Sequence, residues 1–233
     1  MLEILDPKKI DPIAYDGGLL DDIRAFSKLP DQRIGWHYVM DYCWLAVNFG
    51  RHFKRGMRVV DIGCGPGAVH GYLEYRYGTD VVGIDMEKWG DDYVDLQGDF
   101  CDDAFRAANG FGDGSIDLIV SASAFEHNEI EAHRRLVDVC LKTLRPGGVL
   151  LTTFATGRGP THFFKKTHQW NMDRDDIESI YRDRFDSFDY ESVWQRWRAH
   201  HDMAPACLKR FGKMDDQDPP YLAVGAEVVK RAA

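Results

Sequence analysis

Apolar and polar positions along the chain fall into two alternating periods. RVVDIG (58–63), DVVGID (80–85), SIDLIVSAS (115–123) and GVLLTTF (148–154) are short, nearly continuous apolar runs of the kind that form buried strands. YVDLQGD (93–99) is a weaker third strand between them. AVHGYLEYRYG carries a helical pattern stopped at Gly78, and IEAHRRLVDVCLKTL (130–144) is an amphipathic helix closed by an RPGG turn. Strand and helix thus alternate, which predicts an α/β fold with a parallel sheet covered on both faces. Upstream, the first thirty residues read as loop with one short helix, and DQRIGWHYVMDYCWLAVNFGRHF (31–53) as a helix with an Asp start signal. Downstream, RDDIESIYRDRF reads as helix, FDSFDY as a short strand, and ESVWQRWRAHHDM as a Trp- and Arg-rich segment. YLAVGAEVVKR (221–231) is a final strand, expected antiparallel at or near an edge. The chain divides into an N-terminal helical cap or lid (1–57), a core (58–155) and a closing segment (156–233), one domain overall.

Charge narrows the partners. Against 29 Lys+Arg stand 38 Asp+Glu, for a net charge of −9 over 233 residues. Such a surface repels a phosphate backbone, so nucleic acid is not an expected partner. The five cysteines are scattered without a CxxC pair, which suggests neither a zinc site nor a disulfide framework and fits a reducing, cytoplasmic setting. MLEILDPKKIDP has no basic-then-apolar leader pattern, and no apolar run reaches the length of a membrane span. A homo-oligomer is left open.

The chemistry concentrates in VVDIGCGPGAVHGYL (59–73). Asp61, Gly63, Gly65 and Gly67 fall within seven positions between a strand and a helix. Glycines there let the backbone turn sharply and approach a ligand at the positive end of a helix. Asp85 closes the second strand, 22 residues after Gly63, at a distance suited to a ribose diol. A dinucleotide fold would share these features, but its fingerprint is G-x-G-x-x-G, whereas this chain reads D-x-G-x-G-x-G. A carboxylate two residues ahead of the first glycine is awkward for pyrophosphate and favourable for an ammonium group. Gly98-Asp99-Phe100 then places an acid and an aromatic at the end of the third strand, where an adenine would lie.

With these residues in view, the sequence resembles the class I S-adenosylmethionine-dependent methyltransferases, strongly over 31–155 and more loosely to the C-terminus. VVDIGCGPG, VVGID, QGDF and LRPGGVLL carry the resemblance. It implies a Rossmann-like, seven-stranded, mostly parallel sheet with an antiparallel C-terminal strand. It also implies S-adenosyl-L-methionine as cofactor and S-adenosyl-L-homocysteine as product. Asp61 would serve the methionine amino group, and the Gly63, Gly65 and Gly67 loop the methionine and ribose. Asp85 would hold the ribose hydroxyls and Asp99 the adenine amine, with Met86 and Phe100 flanking the ring. Backbone near Ser121 and Ala122 would face the methionine end.

On the acceptor side, SASAFEHN puts Glu126 and His127 just beyond the fourth strand, with His127 the expected general base. His168 and Trp170 in KKTHQWNM form a second acceptor cluster, and Trp36, with His37 and Tyr38, lies on a helix that can act as lid. No HExxH is present, and the fourth strand ends in Ser and Ala where metal-dependent relatives carry Asp, so no metal is expected. Asp218-Pro219-Pro220-Tyr221 spells a motif of amino-methylating enzymes but follows KMDDQ, which cannot be a buried strand. The expected function is methyl transfer to a small-molecule or glycan acceptor, at oxygen. The alternatives are an amino-, nucleic-acid- or protein-directed methyltransferase, a nucleotide-binding oxidoreductase, and a non-catalytic cofactor-binding module.

Overall fold

The computed structural model describes residues 1–5, 10, 13–14, 18–26, 36–66, 68–89, 93–157, 159–181 and 222–231. Gly67, the side chain of Trp36, the FDSFDY and ESVWQRWRAHHDM segments and the Asp218–Tyr221 motif lie outside the described residues.

Seven strands form one sheet: β1 (Leu2–Ile4), β2 (Val59–Ile62), β3 (Val81–Asp85), β4 (Leu96–Gln97), β5 (Ile116–Ala122), β6 (Leu144–Thr156) and β9 (Leu222–Val229). Their spatial order is β1-β9-β6-β5-β2-β3-β4. From β2 the chain steps outward through β3 and β4, then returns to the other side of β2 for β5 and β6. That reversal puts a crevice beyond the C-terminal ends of β2 and β5, where open parallel sheets bind ligands. β9 runs antiparallel to both β6 and β1, and every other pairing is parallel.

The helices are α1 (Leu19–Phe26), α2 (Trp36–His52), α3 (Ala68–Tyr77), α4 (Asp103–Ala108), α5 (Ile130–Thr143) and α6 (Arg174–Tyr181). The apolar face of α2 (Val39, Met40, Cys43, Trp44, Leu45, Phe49) is wholly buried, and the helix packs across β5, β6 and β9. Trp44 lies directly on Gly225 of β9, where an added Cβ would come within 2.4 Å of the indole. α2 is therefore a layer of the core. On α5, Leu136, Val137 and Cys140 point inward, while Glu131, Arg135 and Asp138 lie outside the core.

Two expectations are corrected. The N-terminal stretch read as loop contributes β1, which forms the sheet edge; the C-terminal strand lies antiparallel beside it, near the edge as expected. Its register runs Leu2↔Ala226 to Ile4↔Val224. Second, RPGG does not separate a helix from a strand beginning at Gly148. β6 starts at Leu144, which pairs with Ile116, and the register then jumps to Leu118↔Val149. The intervening residues form an irregularity within one strand, turned at Gly147 (φ +76°) and held by the Arg145–Asp117 ion pair.

Candidate active site

The crevice is built first from backbone. Past Ile62, Gly63 (φ +68°) and Gly65 (φ +52°) adopt the left-handed conformation that L side chains resist. The N–H groups of Gly63 and Cys64 donate to the Ile84 carbonyl at 2.8 and 3.2 Å, tying the loop to β3. A Cβ at Gly63 would lie 2.3 Å from Cβ of Ala124, so this glycine lets the loop abut the turn after β5. A Cβ at Gly65 would meet nothing within 4 Å among the described residues; that glycine borders open space there. One is closed by protein and the other is open to a ligand.

Carboxylates surround the loop. Asp85 Oδ2 accepts from Gly65 N–H and Oδ1 from Glu87 N–H, both at 2.9 Å, so Asp85 fixes the loop's shape. Asp61 is buried (1% exposed), and its Oδ1 has no hydrogen-bond partner among the described residues. Burial pushes the Asp61 carboxyl up from its usual range, against the pull of nearby His70. Ser121 Oγ donates to the Ile62 carbonyl at 2.7 Å, clasping the ends of β5 and β2.

The adenine-side residues separate. Met86 is 67% exposed beside Asp85 and available to a ligand. Asp99 Oδ1 accepts from Cys101 N–H at 2.7 Å, shaping the turn into α4. Phe100 is a core residue, 3% exposed and packed on Phe111, with Arg106 donating to its carbonyl. The sequence expects Phe100 to flank the ring, whereas the structure gives it a place in the core.

On the other side of the crevice, Ser123 turns the chain at φ +50° into the helical turn Phe125–His127. His127 Nδ1 lies 2.8 Å from the carbonyl of His168. A carbonyl can only accept, so Nδ1 carries the proton and the neutral ring keeps its lone pair on Nε2. In the hairpin of β7 (His162–Phe164) and β8 (Gln169–Asn171), His168 (φ +55°) sits just before β8 and Trp170 within it, and both rings lie against Phe163. His127 and the hairpin that carries His168 and Trp170, expected from the sequence as two separate acceptor-side clusters, are joined by this one hydrogen bond.

A buried acid network behind this turn went unrecognised in the sequence. Ser123 Oγ donates to Glu126 Oε1 at 2.5 Å and Ser123 N–H donates to Thr153 Oγ1 at 3.1 Å, while Thr153 and Glu126 both act on the buried carboxyl of Asp41 on α2, Thr153 favouring its charged form and Glu126 opposing it. Glu126 Oε2 and Asp41 Oδ1 remain without partners among the described residues. Burial raises both carboxyls, and their mutual repulsion raises Asp41 further. Tyr38, stacked on Tyr42, is pushed up to about 12 by burial and by the same two acids. The available signal was Asp41 itself, a charge inside the apolar face VMDYCWL. Among the described residues no group of three His, Cys, Asp or Glu could hold a metal ion. No helix among them is long and apolar enough to cross a membrane.

Fold and loop together define an α/β domain with a D-x-G-x-G turn at the crevice of its sheet. A family model described as "Methyltransferase domain" matches residues 60–152, which span that loop through β6. Solved structures share the architecture. The [4+2]-cyclase SpnF is 15% identical at a TM-score of 0.59, covering 97% of this chain and 95% of that one. Geranyl diphosphate C-methyltransferase from Streptomyces coelicolor A3(2), in complex with Mg2+, geranyl diphosphate and S-adenosyl-L-homocysteine, is 16% identical at 0.53. It covers 80% of each chain. A phosphoethanolamine N-methyltransferase from Haemonchus contortus, in complex with S-adenosyl-L-methionine, is 17% identical at 0.55, covering 95% of this chain and 60% of that one. Residues 60–152 thus match a methyltransferase domain, and structures that share the fold were solved with S-adenosyl-L-methionine or S-adenosyl-L-homocysteine bound. The residues fit that group: Gly65 opens a cradle that a side chain would fill, and Asp61 Oδ1 is a buried acceptor awaiting a donor.

Proposed function

We propose that this enzyme methylates a small-molecule acceptor, a sugar or glycan included, at a hydroxyl oxygen, with His127 as general base. The observation that carries the reading is the 2.8 Å hydrogen bond from His127 Nδ1 to the His168 carbonyl. It fixes an exposed imidazole at the C-terminal end of β5 with Nε2 free to take a proton. The cofactor supplies an electrophilic methyl group on a sulfonium. Asp61 holds its ammonium, Asp85 its ribose hydroxyls, and the backbone at Gly63, Gly65 and Gly67 its methionine and ribose. Met86 and Asp99 bound the adenine, and Ser121 anchors the floor. Opposite, His168 and Trp170 border the acceptor, with Glu126 behind them in the buried network; the Trp36 side chain, also expected on the acceptor side, lies outside the described residues. The residues chiefly align the reacting atoms and exclude water, while His127 removes the hydroxyl proton as the new bond forms.

Transfer to an amino nitrogen is the second reading. Its support is the pair of carboxyl oxygens on Asp41 and Glu126 that lack partners among the described residues, which would suit a cationic acceptor. Matched acceptors that differ only in hydroxyl or amine, incubated with methyl-labelled S-adenosyl-L-methionine, separate the two. Label on hydroxyl acceptors that is lost in His127→Ala supports the first. Label on amines alone, insensitive to His127→Ala, overturns it.

A further inference from the structure

His70, on the first turns of α3, is 4% exposed and belongs to no part of the machinery above. Its Nδ1 stands 3.7 Å from Asp61 Oδ2. The ring reaches that position because of a glycine. Gly83 on β3 is the direct cross-strand partner of Asp61 on β2. A Cβ there would lie 3.0 Å from His70 Cε1, 3.1 Å from Nδ1 and 3.1 Å from Cys64 Sγ. A strand glycine that admits another group this closely marks a required approach. The recess places an imidazole against the one carboxylate that opens the glycine loop.

We infer that His70 is a positioning residue for the cofactor's ammonium group, holding Asp61 by Oδ2 and leaving Oδ1 to the ligand. The inference rests on the assignment of Asp61 to that ammonium. A carboxylate this buried would tend to take up a proton and lose its attraction for a cation; a neighbouring imidazolium opposes that. Burial works to lower the His70 imidazole, but Asp61 outweighs it, with Glu74 on the same helix and Asp95 ahead of β4 adding to the pull. Cys64, the other titratable neighbour at the recess, is held as a thiol by burial. An ammonium arriving at Oδ1 competes for the same negative charge. The fold therefore couples ligand binding to the charge on His70.

The test follows the His70 Cε1–H resonance against pH in the wild-type protein, alone, with S-adenosyl-L-homocysteine, and with 5′-methylthioadenosine, which lacks the amino acid portion. The midpoint is expected to fall by about one pH unit with the first ligand and to stay put with the second. By calorimetry, His70→Gln should weaken S-adenosyl-L-homocysteine about tenfold and leave 5′-methylthioadenosine unchanged. Asp61→Asn serves as the control for the underlying assignment. If Asp61→Asn selectively weakens S-adenosyl-L-homocysteine while the His70 midpoint ignores it, the role of His70 is overturned and that of Asp61 stands. If Asp61→Asn affects both ligands alike, the Asp61 assignment itself fails, and this inference with it. Should His70→Gln not fold, the wild-type titration decides alone.

Discussion

Gly63 and Gly65 sit two residues apart in one loop, both at positive φ, yet alanine should act on them through different physics. At either site the left-handed backbone costs a side chain about 1–2 kcal/mol. At Gly63 the new methyl would also lie 2.3 Å from Ala124 Cβ, far inside the roughly 3.5–4.0 Å at which carbons rest. Relieving that overlap by shifting the loop or the turn after β5 adds about 1–3 kcal/mol. Gly63→Ala should thus lose about 2–5 kcal/mol of stability in urea unfolding. At Gly65 nothing among the described residues lies within 4 Å, so Gly65→Ala should lose only the backbone part. On the proposed cofactor site, its methyl would instead enter the space the ligand takes. S-adenosyl-L-homocysteine at 100 times its dissociation constant stabilises a single-site protein by about 2.7 kcal/mol. Wild type should show that gain in parallel unfolding curves, and Gly65→Ala should show almost none. A Gly65→Ala protein that retains the full ligand-induced gain would refute the berth. A Gly63→Ala protein as stable as wild type would refute the close approach of loop and turn.

Three further outcomes are expected. Asp85→Asn keeps one acceptor for the N–H groups of Gly65 and Glu87 and sets an amide against the other, so loop order and ribose contacts are both lost. Calorimetry should show S-adenosyl-L-homocysteine weakened by about tenfold or more. His127→Ala should lower turnover by about 10²–10⁴ with cofactor affinity intact in single-turnover and binding assays, since the ring lies on the acceptor side. His133, fully buried with Nε2 on the Tyr181 hydroxyl at 3.0 Å, is pushed down to about 3 by burial. The unfolded chain therefore takes up a proton near pH 6.5 that the fold refuses. Stability is retained above that pH and falls by about 1.4 kcal/mol per unit as pH drops toward 3. His133→Gln should remove one proton's worth of that slope in urea titrations between these limits.

What was legible in the sequence was local. VVDI, VVGID and IDLIVSA announce themselves as buried strands by composition, and the loop glycines by their density. The acids around the loop are legible because they close strands whose ends share one crevice. What was hidden depends on contacts distant in sequence. LEI is too short to show a period and becomes β1 only by pairing with a strand more than two hundred residues later. Asp41 and His70 lie on helices whose patterns read as ordinary, and their meaning comes from Thr153 and Asp61 on other elements. Ser123 and His168 take left-handed backbone without being glycine, so nothing in their identity signals the turns they make.

The sheet order carries a consequence for how the chain is made. β9 is inserted between β1 and β6, each of which waits for it with an unpaired side. The strands that shape the cofactor crevice come earlier and pair without it. During synthesis the crevice can assemble while the first strand drifts without a partner, and the last one closes the gap from both sides. A chain stopped before Leu222 would keep its glycine loop but expose the long edge of β6, the kind of edge that recruits other molecules. Size-exclusion chromatography of that truncation should find aggregates; a clean monomer would show that the final strand is dispensable to the sheet.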